Sequence, residues 1–219
     1  MTRAFSGHVM VSFIPINHTS ITMTEEIRKT LRDSAAMRWT ALLLLALAMF
    51  CAYIFVDILS PIKDLMLTQR GWDSTAFGTM QGSETFLNVF VFFLIFAGII
   101  LDKMGVRFTA VLSGAVMLFG ALIKYYAVSE SFIGSGMEAW FTAHLNYIPG
   151  FDELGVSPFY EGMPASAKVA AIGFMIFGCG TEMGGITVSR GIVKWFKGRE
   201  MALAMGSEMA LARLGVATC

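Results

Sequence analysis

The chain alternates long apolar runs with short polar punctuation. A helix needs about 20 mostly apolar residues to cross about 30 Å of hydrocarbon. Five stretches reach that length wholly or in part. The first runs from Trp39 to about Ile62, uncharged until Asp57 and ended near Pro61. The second is 83–101. The third is 108–128, with Lys124 near its end, where a long stem can snorkel to the interface. The fourth, 169–193, contains Glu182, and the fifth, 201–219, is still apolar at Cys219. The pattern predicts an all-α membrane protein. A polar N-terminal segment, 1–38, precedes a transmembrane bundle, 39–219, and a long connection, 129–167, separates the third span from the fourth.

Composition agrees. The chain is 56% hydrophobic and 15% charged, whereas a soluble domain is about 45–50% apolar and about 25% charged. Net charge is zero, so nothing points to nucleic acid. Cys51, Cys179 and Cys219 lie far apart, as do His8, His18 and His144. They form neither a disulfide framework nor a metal set. No cofactor motif is present, and no Ser/His/Asp arrangement at catalytic spacing, so an enzyme is not expected. Residues 1–37 hold no continuous apolar core and do not read as a signal peptide. Met23 opens an amphipathic stretch, and 1–22 can be read as an upstream extension without an assigned role.

Charge sets the expected orientation. Arg28, Lys29, Arg32 and Arg38 precede the first span, Lys103 and Arg107 follow the second, and Arg190, Lys194, Lys197 and Arg199 follow the fourth. The opposite connections hold few bases, Lys63 and Arg70 in one and Lys168 at the end of the other. The positive-inside rule then puts the N-terminus in the cytoplasm and 129–167 outside. Asn17-His18-Thr19 matches a glycosylation acceptor, a pattern of little weight on a cytoplasmic tail. The acids of 129–167 read as a solvated face on an ordered outer loop, with room for a short interfacial helix. The fourth span is rich in glycine, at 173, 178, 180, 184 and 185, with Gly180 and Gly184 in GxxxG spacing. Packing between helices accounts for most of these.

The stretch "FAGIILDKMGVRFTA" breaks the apolar pattern at Asp102. Gly98, Asp102, Lys103, Gly105 and Arg107 fit G-x-x-x-D-[KR]-x-G-x-[KR]. The glycine permits a tight turn, and the charges can pair with one another and with helix ends. Placed between the second and third spans, this resembles the signature loop of the major facilitator superfamily. The resemblance implies a conformational latch that does not touch substrate. The stretch from Gly178, "GCGTEMGGITVSRGIVKWFKGREMALAMGSEMALARLG", resembles the fourth and fifth spans of the branch that contains the animal lysosomal dipeptide transporters. Together the two likenesses cover 39–219 and imply the first five of twelve spans. The fifth apolar run reaches the last residue, so the chain reads as an N-terminal fragment whose partner would be the C-terminal half of the same transporter.

Charges inside a membrane are costly and default to functional hypotheses. Glu182 and Arg213 lie equidistant from a turn about Lys197-Gly198, each about 22 Å from it at about 1.5 Å per residue. A structural ion pair and a pair opening onto a ligand cavity suit that placement equally. The resemblance implies the second, with Glu182 on the ammonium and Arg213 on the carboxylate of a zwitterionic peptide. Asp57 and Glu208 are weaker candidates, Asp57 as an outer-gate residue or, preferably, an exposed helix-end acid, and Glu208 as a local partner of Arg213 or a residue facing another span. Arg190 reads as a positive-inside anchor.

The expected function is secondary transport of a small solute, a dipeptide or other zwitterion, by alternating access. The alternatives are a transporter for a small anion such as nitrate or an organic acid, and a non-functional truncated fragment or membrane scaffold. The membrane would be the lysosomal one in an animal, or the plasma (inner) membrane in a bacterium. The expected partners are the lipid bilayer and a small-molecule substrate.

Overall fold

The computed structural model describes residues 34–219, so the readings made for 1–33 lie outside the described residues. The described chain is all-helical, and three of its helices are long and apolar enough to cross a membrane. Helix α1 spans Ala35–Asp57, α2 Lys63–Gln69, α3 Ser74–Gly82, α4 Phe86–Phe90, α5 Phe93–Ala127, α6 Gly136–His144, α7 Ala165–Phe196 and α8 Met201–Ala217. Short 3₁₀ turns at Ser60–Ile62 and Ser83–Thr85 join α1 to α2 and α3 to α4.

Helix α1 starts at Ser34, whose hydroxyl accepts from the Met37 N–H at 3.4 Å, as an N-cap side chain does. Leu42, Ala46, Met49 and Ala52 repeat every three or four residues and form its buried stripe. Leu43, Leu44 and Leu47 stay exposed. In lipid that division costs nothing, because hydrocarbon is as apolar as leucine.

Helix α7 is the centre of the bundle. Of its most apolar window 72% is buried, against 22% for the first spanning candidate and 17% for α5. It packs along α5, and α1 packs along α8. Glycine makes the α5–α7 seam possible. A Cβ at Gly120 would stand 2.5 Å from the Phe177 nitrogen and 2.6 Å from the Gly173 oxygen. One at Gly173 would stand 2.7 Å from the Lys124 nitrogen, and one at Gly180 would stand 2.6 Å from Met117. Two backbones touch here with no side chain between them. The GxxxG pair splits in role: Gly180 meets α5, while Gly184 faces Met49 of α1.

The stretch 83–101 is not one helix. It divides into the Ser83–Thr85 turn, α4 and the beginning of α5, with Phe92 in the left-handed region at φ 54. Side chains compete with the regular ladder at this point. Ser83 lies within hydrogen-bonding distance of the Met80 and Ala171 carbonyls, at 2.6 and 3.1 Å, and the Gln81 amide donates to the Val56 carbonyl at 3.0 Å. Helix α5 is itself broken at Gly105 (φ 82, ψ 169).

The connection between α5 and α7 is packed rather than loose. Phe132, Phe159 and Met163 are buried. Arg70 pairs with Glu130 at 2.9 Å. Tyr160 donates to Asp73 at 3.0 Å, and the Trp72 indole donates to Ser166 at 2.8 Å.

Candidate functional site

Tyr53 sits on α1 and is half-buried. Glu182 of α7, Glu208 and Arg213 of α8, and Glu84 of the Ser83–Thr85 turn all lie within electrostatic reach of its hydroxyl. Three separate elements thus direct charge at one tyrosine. The close α1–α8 contact explains how α8 contributes: a Cβ at Gly215 would stand 2.5 Å from the Phe50 oxygen and 3.2 Å from the Tyr53 Cβ. Glu182 and Glu208 are half-buried, and Arg213 is exposed. Among the described residues Glu182 and Arg213 form no ion pair with each other, nor does Glu208 with Arg213.

A second group adjoins the first. Glu84 lies within electrostatic reach of Glu182, Lys124 and Asp57. Lys124, on α5, does not snorkel. It is 8% exposed, its ammonium stands 3.9 Å from the centre of the Phe174 ring, and it donates to the Phe55 carbonyl at 3.4 Å. The physical reason is the glycine seam. Gly120 and Gly173 bring α5 so close to α7 that the lysine stem, one turn along, is enclosed against Phe174. Lys124 is therefore held by an aromatic face, a carbonyl and two nearby acids. Asp57, the last residue of α1, is half-buried and is one of those acids.

Sequence reasoning passed over Glu84 and misplaced Lys124. A signal for Glu84 was present. Glu84 is the one charged residue between Asp73 and Asp102, a lone acid at the start of an apolar run. The Asn88 amide is buried, with no hydrogen-bond partner among the described residues. The seam that encloses Lys124 is a tertiary fact that no local pattern carries.

The loop residues occupy a different end of α5. Gly105 provides the left-handed break, Gly98 is half-buried, and Asp102, Lys103 and Arg107 are exposed. Asp102 pairs with Arg190 of α7 at 3.0 Å, so Arg190 has a specific partner as well as a place at the end of a span. At the same end of α7, the Trp39 indole donates to Glu200 at 3.3 Å and its ring meets Phe196 edge-on, ring centres 5.2 Å apart.

Two pH-sensitive groups lie in the connections outside the spanning helices. The Ala76 N–H and the Tyr160 hydroxyl, both bonded to Asp73, hold its carboxyl below the ordinary value. Burial, together with the bond to Asp73, pushes Tyr160 up to about 12.

No protein-family model matches the chain, and no curated protein or solved structure matches it.

Proposed function

We propose that this chain forms part of a secondary transporter that moves a small zwitterion, most concretely a dipeptide, by alternating access. Glu182 takes the ammonium end and Arg213 the carboxylate end. One observation carries the reading: charges of both signs, the half-buried Glu182 of α7 and the exposed Arg213 of α8, lie within electrostatic reach of Tyr53 of α1. Keeping charge there is expensive unless it is used. A carboxylate and a guanidinium supply the two charge-assisted contacts that a zwitterion needs. Glu84, Glu182 and Glu208 all lie within electrostatic reach of the same tyrosine, which disfavours a small anion as substrate.

The Asp102–Arg190 pair supports a latch. Both side chains are well exposed, at 66% and 60%, so the pair contributes about 0–1 kcal/mol to stability. Its value lies in biasing one arrangement of the bundle over another, because a contact made in only one state shifts the population toward it. The test is counterflow of a radiolabelled dipeptide into proteoliposomes that carry the full-length transporter. Accumulation above protein-free vesicles, abolished by Glu182→Gln, is expected. Uptake equal to that of empty vesicles would sink the proposal.

A further inference from the structure

Helix α6 has two different faces. Ser135 accepts from the Glu138 N–H at 3.2 Å, and Glu138 accepts from the Gly134 N–H at 2.6 Å. This is a reciprocal capping arrangement, and it turns the only acid of the helix back on its own N-terminus. Phe141 and Leu145 pack inward against the buried cluster. Lys168 fastens the far end, donating to Asn146 at 2.8 Å.

The other face carries Met137, Trp140 and His144, spaced by three and four residues. Met137 is 50% exposed and Trp140 is 54% exposed. The His144 ring stacks on the indole, ring centres 5.0 Å apart and planes 15° apart, and its Nδ1–H donates to the Trp140 carbonyl at 3.0 Å. The indole is therefore held in place, yet half of it is uncovered. Its surface continues that of α5. The Tyr126 hydroxyl meets the Met137 sulfur at 3.8 Å, and Leu118, Leu122 and Tyr125 extend the exposed stripe down α5. Helix α5 is one of the three candidate spans, so this stripe faces lipid. Tryptophan and tyrosine collect at the membrane–water boundary, because their rings are apolar at one end and polar at the other.

We propose that α6 lies in the headgroup layer of the same bilayer that holds α5, with Trp140 inserted where headgroups meet acyl chains. The occupant of this face is lipid, because the face is continuous with a lipid-facing helix and carries no acid. The inference rests on the membrane reading of α5 and is independent of the transport reading. The anchor fixes the depth of the whole 128–164 connection, which Arg70–Glu130 and Tyr160–Asp73 tie to the α2–α3 side.

The experiment is tryptophan quenching of the full chain in phosphatidylcholine vesicles brominated either near the headgroup or near the chain ends. The contribution of Trp140 is the difference between wild type and Trp140→Phe. It should be quenched several-fold more by the shallow bromines than by the deep ones, and should resist aqueous iodide. Met137→Trp places a fluorophore on the same face and should give the same pattern, which keeps the test decisive if Trp140→Phe does not fold. Strong iodide quenching without a bromolipid effect would overturn the proposal. Protection from iodide and from both bromolipids would also overturn it, because it would mean that a protein covers the face.

Discussion

Gly120→Ala tests the seam on which the site depends. The added methyl would stand 2.5 to 2.8 Å from three backbone atoms of α7, the Phe177 nitrogen, the Gly173 oxygen and the Phe177 Cα. Backbone cannot rotate away as a flexible side chain can, so α5 and α7 must separate locally by about 1 Å to restore ordinary contact. Forced overpacking of this kind costs about 1–3 kcal/mol. Against it, alanine is a better helix former than glycine by about 0.5–1 kcal/mol. The clash wins, and a net loss of about 1–2 kcal/mol is expected. Gly185→Ala is the control, since a Cβ there meets nothing within 4 Å. Only the propensity gain remains, and that variant should equal or exceed wild type. The assay is thermal unfolding of the purified protein in mild detergent, read by the monodisperse fraction on gel filtration. If Gly120→Ala proves as stable as Gly185→Ala, the close α5–α7 approach is wrong, and with it the enclosure of Lys124.

Lys124→Met should destabilise by more than the double change Lys124→Met with Glu84→Gln, with a coupling of about 0.5–3 kcal/mol, because the single change strips Glu84 of its nearby cation; strict additivity in the same unfolding assay would refute the grouping. In a spectrophotometric titration Tyr160 should ionise about 2 units above exposed tyrosines, consistent with its value of about 12. Its raised value stabilises the fold fully below about pH 10, the unfolded value, and that contribution disappears as pH rises from about 10 through 12. Asp73, whose value is lowered, contributes above about pH 4, and its contribution is lost as pH falls through the folded value; Asp73→Asn should bring the Tyr160 titration down, and an unmoved midpoint would contradict the bond. Asp102→Asn and Arg190→Gln should each change stability by less than about 1 kcal/mol while slowing dipeptide counterflow alike, and a loss of ligand binding in either folded variant would refute the latch.

Much of the helical architecture was legible because lipid imposes a simple rule. A run must be long and apolar, and the runs at α1, α5 and α7 obey it. Less legible was the region 83–101. There Ser83 and Gln81 reach carbonyls on α7 and α1, and the local pattern gives no hint of such partners. Glycine enrichment announced close packing on α7, but GxxxG spacing alone did not say that Gly173 and Gly180 meet α5 while Gly178 meets Glu84 and Gly184 meets Met49. For the candidate site, Glu182 and Arg213 could be picked out because charge in an apolar run stands out. Lys124 was visible too, yet its position near a helix end favoured snorkelling. Only the Gly120–Gly173 contact decides that it points inward.

The most direct test of the central claim is ligand-induced thermal stabilisation of the purified protein by a set of dipeptides. The set includes free, N-acetylated and C-amidated versions, measured with wild type, Glu182→Gln and Arg213→Gln. Free dipeptides should stabilise wild type, and either blocked end should weaken the effect. Glu182→Gln should lose discrimination at the amino end only, and Arg213→Gln at the carboxyl end only. If both variants fold and keep the full response of wild type, Glu182 and Arg213 hold no substrate and the zwitterion reading is contradicted.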